Sequence, residues 1–283
     1  MHKYSLAEKI LFPSTSLNKK KLESTLHNKI ILITGASSGI GEQVALLLAE
    51  INVHLILVAR REDRLLAIKN DIEKKQASVS VFPADLRNHE EMETLLAFIH
   101  QMPDGLDIVV SNAGLSINRS IQDSLERYHD FTRTMAINYF APVQLLLSVV
   151  PLLAKTKGQI INVSTINALM IPLPGWAAYQ ASKSAFDTWL RSAAPELKPQ
   201  GITATSIYLP LVKTPMILPT AAYQNAPTMA SAHAAKIIVK TMLTKKSGYS
   251  PWWMFFGKLA SLFFRGVWET VSPIFLRKKG AGR

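Results

Sequence analysis

The 283-residue sequence has no cysteine. Disulfides and thiolate metal ligands are therefore excluded, while the compartment stays open because a chain without thiols is compatible with any redox state. Acidic residues are scarce, 20 against 32 Lys and Arg, for a formal net charge of +12. Nucleic acid, anionic lipid and a phosphorylated cofactor are all candidate partners for such a charge, which does not choose among them. The residues before the first strand lack the apolar run of a signal peptide, so a cytoplasmic location is expected. There is no internal repeat and no low-complexity tract. The seven histidines, His54, His89, His100, His129 and His233 among them, show no ligand spacing, so no metal site is expected. Basic residues are spread over Lys19, Lys20 and Lys21, over Arg60 and Arg61, and over the tail, without a nucleic-acid recognition module, and no nucleic-acid partner is expected.

What is present is core material in a regular alternation. At 48% hydrophobic residues the chain can bury one large core. Short, continuously apolar strands are expected at 30–34, 53–59, 79–82, 106–110, 159–163 and 202–208, separated by helical stretches at 39–51, 61–75, 90–100, 125–153 and the segment bearing Tyr179 and Lys183. Strands apolar on both faces and separated by helices predict an α/β fold, a doubly wound parallel sheet of Rossmann type. Residues 1–28 read as an amphipathic and basic arm around Leu6, Ile10, Leu11, Phe12 and Pro13, either a solvated leader or a docking element. Residues 29–250 read as a single catalytic domain. Residues 251–283 form an apolar and basic helical extension, in which Trp252, Trp253, Phe255, Phe256, Leu259, Leu262, Phe263, Phe264 and Trp268 are interrupted by Lys258, Arg265 and Glu269, charges that argue against a membrane-spanning helix.

Three constellations carry chemistry. After the first strand, Thr34, Gly35, Ala36, Ser37, Ser38, Gly39, Ile40 and Gly41 open a helix; glycines there permit a tight turn and let backbone N–H groups approach a pyrophosphate at the positive helix end. At the end of the second strand, Arg60 and Arg61 stand where a carboxylate would serve the ribose hydroxyls of NAD; guanidinium groups there favour the 2′-phosphate of NADP(H). Tyr179 and Lys183 are four residues apart on one helix face. A phenol titrates near 10, and a fixed cation beside it makes it a usable acid/base group near neutrality.

Residues 34–41, Asp85 and Leu86, Asn112, Ala113 and Gly114, Asn138, Ser164 and Thr165, and the stretch from Tyr179 to Lys183 together resemble the short-chain dehydrogenase/reductase family, over about residues 29–243. The resemblance implies that Asp85 contacts adenine, that Asn112 supports the cofactor and central strand, that Lys183 also binds the nicotinamide ribose, and that Asn138 holds a water in a proton relay. Two departures stand out. Thirteen residues before the tyrosine, where the family usually has serine, this sequence has Ile166, so Thr165, if the loop 167–176 carries one extra residue, or else Ser164, supplies the hydroxyl. Residues 210–214 lack the usual glycine after the proline and are one residue shorter; Thr214 is still expected to meet the nicotinamide carboxamide. Residues 127–140 and 206–216 are similar to the bacterial members that reduce long-chain fatty acyl-CoA to fatty aldehyde. That resemblance implies an NADPH-dependent reductase in which Tyr179 donates a proton, Lys183 lowers the tyrosine pKa and Thr165 or Ser164 orients the carbonyl oxygen.

Leu169, Met170, Ile171, Leu173 and Trp176 before the tyrosine, and Met216, Ile217 and Leu218 in the expected lid, suggest an apolar substrate, although about half belong to ordinary packing on general grounds. A keto-lipid or steroid is the alternative to an acyl-CoA, and a catalytically silent, membrane-associated NADPH-binding scaffold the alternative from another class. In the tail, Lys258, Arg265 and Glu269 fall seven and four residues apart, as on one helix face, with Arg277, Lys278 and Lys279 following. This pattern resembles an interfacial helix at anionic lipid, a peripheral membrane contact, and an oligomer contact is the rival. Family resemblance implies a homo-oligomer.

Overall fold

The apolar runs become the strands of one sheet and the amphipathic runs the helices that cover it, in the computed structural model of the chain, which describes residues 4–102, 105–217, 220, 223 and 226–280, the last six without their side chains. In chain order, α1 (Leu6–Leu11) and α2 (Lys19–Leu26) precede β1 (Ile30–Thr34), α3 (Gly39–Leu48), β2 (His54–Ala59), α4 (Glu62–Ile72), β3 (Ser78–Pro83), α5 (His89–His100) and β4 (Ile108–Ser111). Then come α6 (Tyr128–Met135), α7 (Ala141–Thr156), β5 (Gln159–Thr165), α8 (Ala177–Leu197), β6 (Thr203–Leu209), β7 (Val212–Lys213), β8 (Met229–Ala230), α9 (Ser231–Thr244), β9 (Gly248–Tyr249), α10 (Met254–Phe263) and α11 (Arg265–Gly280).

Seven parallel strands lie in the order β3-β2-β1-β4-β5-β6-β9, with β7 and β8 paired separately. The direction of winding reverses between β1 and β4, which opens the ligand crevice at the carboxyl ends of these strands. Successive residues of β1 feed opposite faces: Ile31 and Ile33 pack with Val44, Leu48 and Ile238 of α3 and α9, Leu32 with Met92, Leu145 and Phe186 of α5, α7 and α8. Residues 128–156 have the length and apolarity of a membrane span, yet Leu145, Leu146, Val149 and Leu153 are inside this core.

Several boundaries differ from the sequence reading. The expected helix 125–153 is α6 and α7 joined by a π-helical turn, Ala136–Phe140, that accommodates the buried Asn138. The short edge strand β9 was not anticipated, two residues being too few for a periodicity signal. The tail is not one helix: Phe264 leaves helical geometry (φ −106°, ψ 14°), so Lys258 and Arg265 sit on separate helices and do not share a face. Arg265 instead pairs with Glu269 (2.9 Å). The expected basic side chains of Arg277, Lys278 and Lys279, and the lid residue Leu218, lie outside the described residues.

The N-terminal arm is docked. Phe12, Leu22 and Leu26 are buried, Tyr4 Oη and Thr15 Oγ1 lie 3.0 and 3.2 Å from the two ring nitrogens of His233, and Glu8 accepts from Thr228 N (3.1 Å). The indole N–H groups of Trp252 and Trp253 donate to the carbonyls of Ile10 (3.0 Å) and Leu11 (3.3 Å).

Candidate active site

The nucleotide end is assembled from the loop after β1. Gly35 adopts φ +66°, and a Cβ on Gly41 would stand 2.5 Å from the Gly35 carbonyl, so glycine lets α3 close onto the turn with its positive end at the crevice. Thr34 Oγ1 accepts from Asn112 N and Ala113 N (3.0 Å each), and Asn112 Nδ2 donates to the carbonyls of Thr34 and Gly35. Asn112 thereby ties β4 to the turn. From the end of β2, the Arg61 guanidinium donates to Ser37 Oγ (3.0 Å) and Ser38 Oγ (2.8 Å). Arg60 is exposed, 4.0 Å from Asp85. Arg87 grips Asp85 with both ends of its guanidinium, and this hydrogen bonding holds the Asp85 carboxyl below its usual range. Arg60 and Arg87 thus flank Asp85, while Arg61 is held on the Ser37 and Ser38 hydroxyls.

The catalytic end lies where β5 meets α8. The Thr165 hydroxyl accepts from Asn167 N (3.3 Å) and lies beside the Tyr179 phenol, whose pKa it lowers. Adjacent strand residues face opposite ways, and Ser164 Oγ is buried without a hydrogen-bond partner among the described residues. Of the two hydroxyls, Thr165 is the one at the tyrosine. Burial pushes the Tyr179 phenol up, opposed by the Thr165 hydroxyl, and drives Lys183 down to about 8. Lys183 Nζ donates to Val163 O (3.1 Å). Both amide hydrogens of Asn138 are engaged: its Nδ2 donates to Leu115 O and Ser182 Oγ, and its Oδ1 accepts from Leu115 N, each at 2.9 Å. Gly114 fits between Asn138 and Lys183, since a Cβ there would stand 3.0 Å from Asn138 Oδ1 and 3.5 Å from Lys183 Nζ.

These groups line one cavity of about 900 Å³. Gly35, Ser37, Ser38, Gly39, Ile40, Arg60, Arg61, Asp85, Leu86, Asn112, Ala113, Gly114, Ser164, Thr165, Tyr179, Lys183 and Thr214 all contribute to its lining, which Gly41 and Asn138 do not join. Of the apolar residues expected around a substrate, Leu173, Trp176, Met216 and Ile217 line it, whereas Met170 and Ile171 line a separate cleft.

Four contributors escaped the sequence reading. Arg87 follows Asp85 and Leu86 directly and could have been taken with them. Tyr223 stacks on Trp176 (5.7 Å, 16°), and burial pushes its phenol up to about 12; nothing in its proline-punctuated surroundings signals this. Gln180 organises the loop before α8: its Oε1 accepts from Leu173 N (3.0 Å) and its Nε2 donates to Asn167 O (2.7 Å). Asp130, only 1% exposed, gathers Arg119 (3.0 Å), Arg127 (2.9 Å) and Arg133 (2.7 Å), so three guanidinium charges meet one carboxylate. Arg133 also lines the cavity, and Arg119 N donates to Gly175 O (2.8 Å) in the loop leading to Trp176.

The family model described as short chain dehydrogenase matches residues 29–225. A fatty acyl-CoA reductase of Acinetobacter baylyi is 40% identical over 250 residues, 87% of this chain and 83% of that protein. A fatty acyl-CoA reductase of Mycobacterium tuberculosis is 37% identical over 241 residues, 84% and 82% of the two chains. Among solved structures, a dehydrogenase/reductase from Sinorhizobium meliloti 1021 superposes with a TM-score of 0.72 at 25% identity, covering 80% of this chain and 92% of that one.

Proposed function

The chain belongs to the short-chain dehydrogenase family, and we propose that this oxidoreductase reduces the carbonyl of a long-chain fatty acyl-CoA to the aldehyde with NADPH. The observation that carries the reaction is that the Tyr179 phenol, the Thr165 hydroxyl and the buried Lys183, one helical turn from the tyrosine, line one cavity. When bound, the dinucleotide supplies the hydride to the carbonyl carbon. Gly35, Gly39 and the N-terminus of α3 would hold its pyrophosphate; Arg60, Arg61, Ser37 and Ser38 its 2′-phosphate; Asp85 its adenine; Lys183 its nicotinamide ribose; and Thr214 its carboxamide. Thr165 orients the substrate oxygen, Tyr179 gives it a proton, and the Lys183 ammonium stabilises the phenolate left behind. With its amide hydrogens spent, Asn138 fixes Leu115 and Ser182 around the lysine, and any relay water would have to use its remaining acceptor capacity or its backbone.

The balance for a thioester is acyl-CoA, NADPH and a proton giving aldehyde, free CoA thiol and NADP+. The names of the two relatives support this class, and so does Arg133, which lines the cavity as part of a cluster in which three arginines share the single Asp130 carboxylate, a charge that suits a substrate carrying phosphates. A keto-lipid or steroid would leave that charge unused. The deciding assay follows free thiol together with NADPH and NADH consumption over acyl-CoA esters and keto-lipids. Thiol release with NADPH is expected; ketone reduction without thiol would select the alternative, and silence with every carbonyl would favour a scaffold.

We also assign the protein a cytoplasmic place at the membrane surface, where it would act as a homo-oligomer or through its apolar extension. Phe255, Phe256, Leu262 and Phe263 of α10 are exposed, next to exposed Trp252 and, through it, the exposed Leu6 and Ile10 of α1. The full-length protein is expected to float with anionic liposomes and a chain ending at Ser250 to sink. Equal flotation would leave this surface to a second subunit.

A further inference from the structure

Beyond the catalytic cavity, a second apolar cleft of about 240 Å³ lies between the loop before α8 and the two C-terminal helices. Met170 and Ile171 form one side; Gly257, Ala260, Phe264 and Trp268 line the other. The loop is held in place from both directions. Gln180 takes its inward-facing backbone groups at Asn167 and Leu173. Ser261 Oγ accepts from Ile171 N (3.2 Å), and Trp268 Nε1 donates to Pro172 O (3.1 Å). The polar groups at the cleft are thus consumed in fixing the loop, and what remains open is hydrocarbon surface. Leu173 and Trp176, a few residues further along the same loop, line the catalytic cavity, so one short segment forms a wall of both spaces.

We propose that this cleft is the binding site for the distal part of the substrate's aliphatic chain, which leaves the catalytic cavity across the 170–173 loop and lies under α10 and α11. This rests on the lipid-substrate reading of the catalytic cavity. A headgroup or peptide is a poor occupant of a space whose hydroxyl and indole N–H are already bonded, whereas an alkyl chain asks for no polar partner. The C-terminal extension then sets chain length. Each methylene that enters should raise kcat/KM roughly fourfold, the equivalent of about 0.8 kcal/mol, until the cleft is full.

The test uses Gly257→Leu to fill the cleft. A Cβ at Gly257 meets only Met254, at 3.6 Å, so the added side chain has room without displacing backbone. Gly266→Leu is the matched control, because nothing lies within 4 Å of its Cβ position and Gly266 does not line the cleft. With acyl-CoA esters of 8 to 18 carbons, on the order of the reach expected for cavity plus cleft, G257L should lose at least about tenfold in kcat/KM for the longest esters and keep its rate on the shortest. G266L should match the parent. An unchanged length profile in G257L overturns the proposal. A second arm needs no turnover: quenching of tryptophan emission by 9,10-dibromostearate. A quenched component lost both in W268F and in G257L supports the cleft even if acyl-CoA proves not to be the substrate. Quenching equal in the parent, W268F and G257L overturns the proposal whatever the substrate.

Discussion

Burying the Lys183 ammonium against the Val163 carbonyl costs stability, and the same burial sets the chemistry. A fall from 10.5 to about 8 corresponds to roughly 3 kcal/mol against the charged form in the folded state. Because the folded pKa is lowered, the penalty is complete below about pH 8 and fades as pH rises toward the unfolded value, so this group's contribution to stability improves over that interval. Reduction runs the other way: the free enzyme loses its cation above about pH 8, and kcat/KM should decline there with one apparent pKa. Lys183→Met should abolish turnover while melting within a few degrees of the parent, since relief of the burial penalty offsets the ~1–3 kcal/mol of an orphaned carbonyl. A collapse of the melting temperature would contradict this. Tyr179→Phe should stop turnover with NADPH affinity nearly unchanged, as measured by cofactor fluorescence; retained turnover would remove the phenol from the mechanism. In Gly41→Ala, by contrast, a methyl 2.5 Å from the Gly35 carbonyl should weaken dinucleotide binding by about tenfold or more, measured by the same titration.

At the scale of elements, Asp130 joins the start of α6 to the loop carrying Arg119. Hydrogen bonding from Arg127 holds its carboxyl below the usual range, so its stabilisation is present at neutral pH and is lost as pH falls through that lowered value. Asp130→Asn should therefore cost about 2 kcal/mol at pH 7, less than a wholly buried pair because the arginines are partly exposed. The melting temperatures of mutant and parent should converge well below about pH 4, where the parent carboxyl is itself neutral; a constant gap would mean that the loss is steric. The order of strands and helices was legible because apolar runs of strand length alternate with helical ones, and the turn after β1 was legible because positive φ followed by a helix needs glycine there. The π-helical turn at 136–140, the break at Phe264 and strand β9 were not. Each depends on what packs across it, Asn138 against Leu115 and Ser182 in the first case, and local pattern does not encode that.

For the molecule as a whole, the excess of +12 resolves into separate locations. One part crowds the nucleotide end as Arg60, Arg61 and Arg87, another surrounds Asp130, and Lys19, Lys20 and Lys21 are exposed on α2. If the surface of α1 and α10 meets anionic lipid, flotation should weaken with added salt as the ~8–10 Å Debye length at 0.1–0.15 M contracts, while apolar insertion leaves a salt-resistant remainder. Salt-independent flotation would assign the whole effect to the aromatic face. Total charge, and its clusters at Lys19 to Lys21 and at Arg60 and Arg61, were readable from the sequence; the third cluster was not, because Arg119, Arg127 and Arg133 meet only once the loop and helix are folded.

The bonds from Trp252 and Trp253 to Ile10 and Leu11, with those joining Tyr4 and Thr15 to His233, also order events in time. Helix α1 is synthesised well before the residues it docks on in β8, α9 and the stretch leading into α10. Until those are made, Phe12, Leu22 and Leu26 have only part of the surface that buries them, and the arm is open to chaperones and proteases. A nascent chain halted before residue 228 should be clipped within its first 28 residues under mild proteolysis, whereas the released full-length protein should resist.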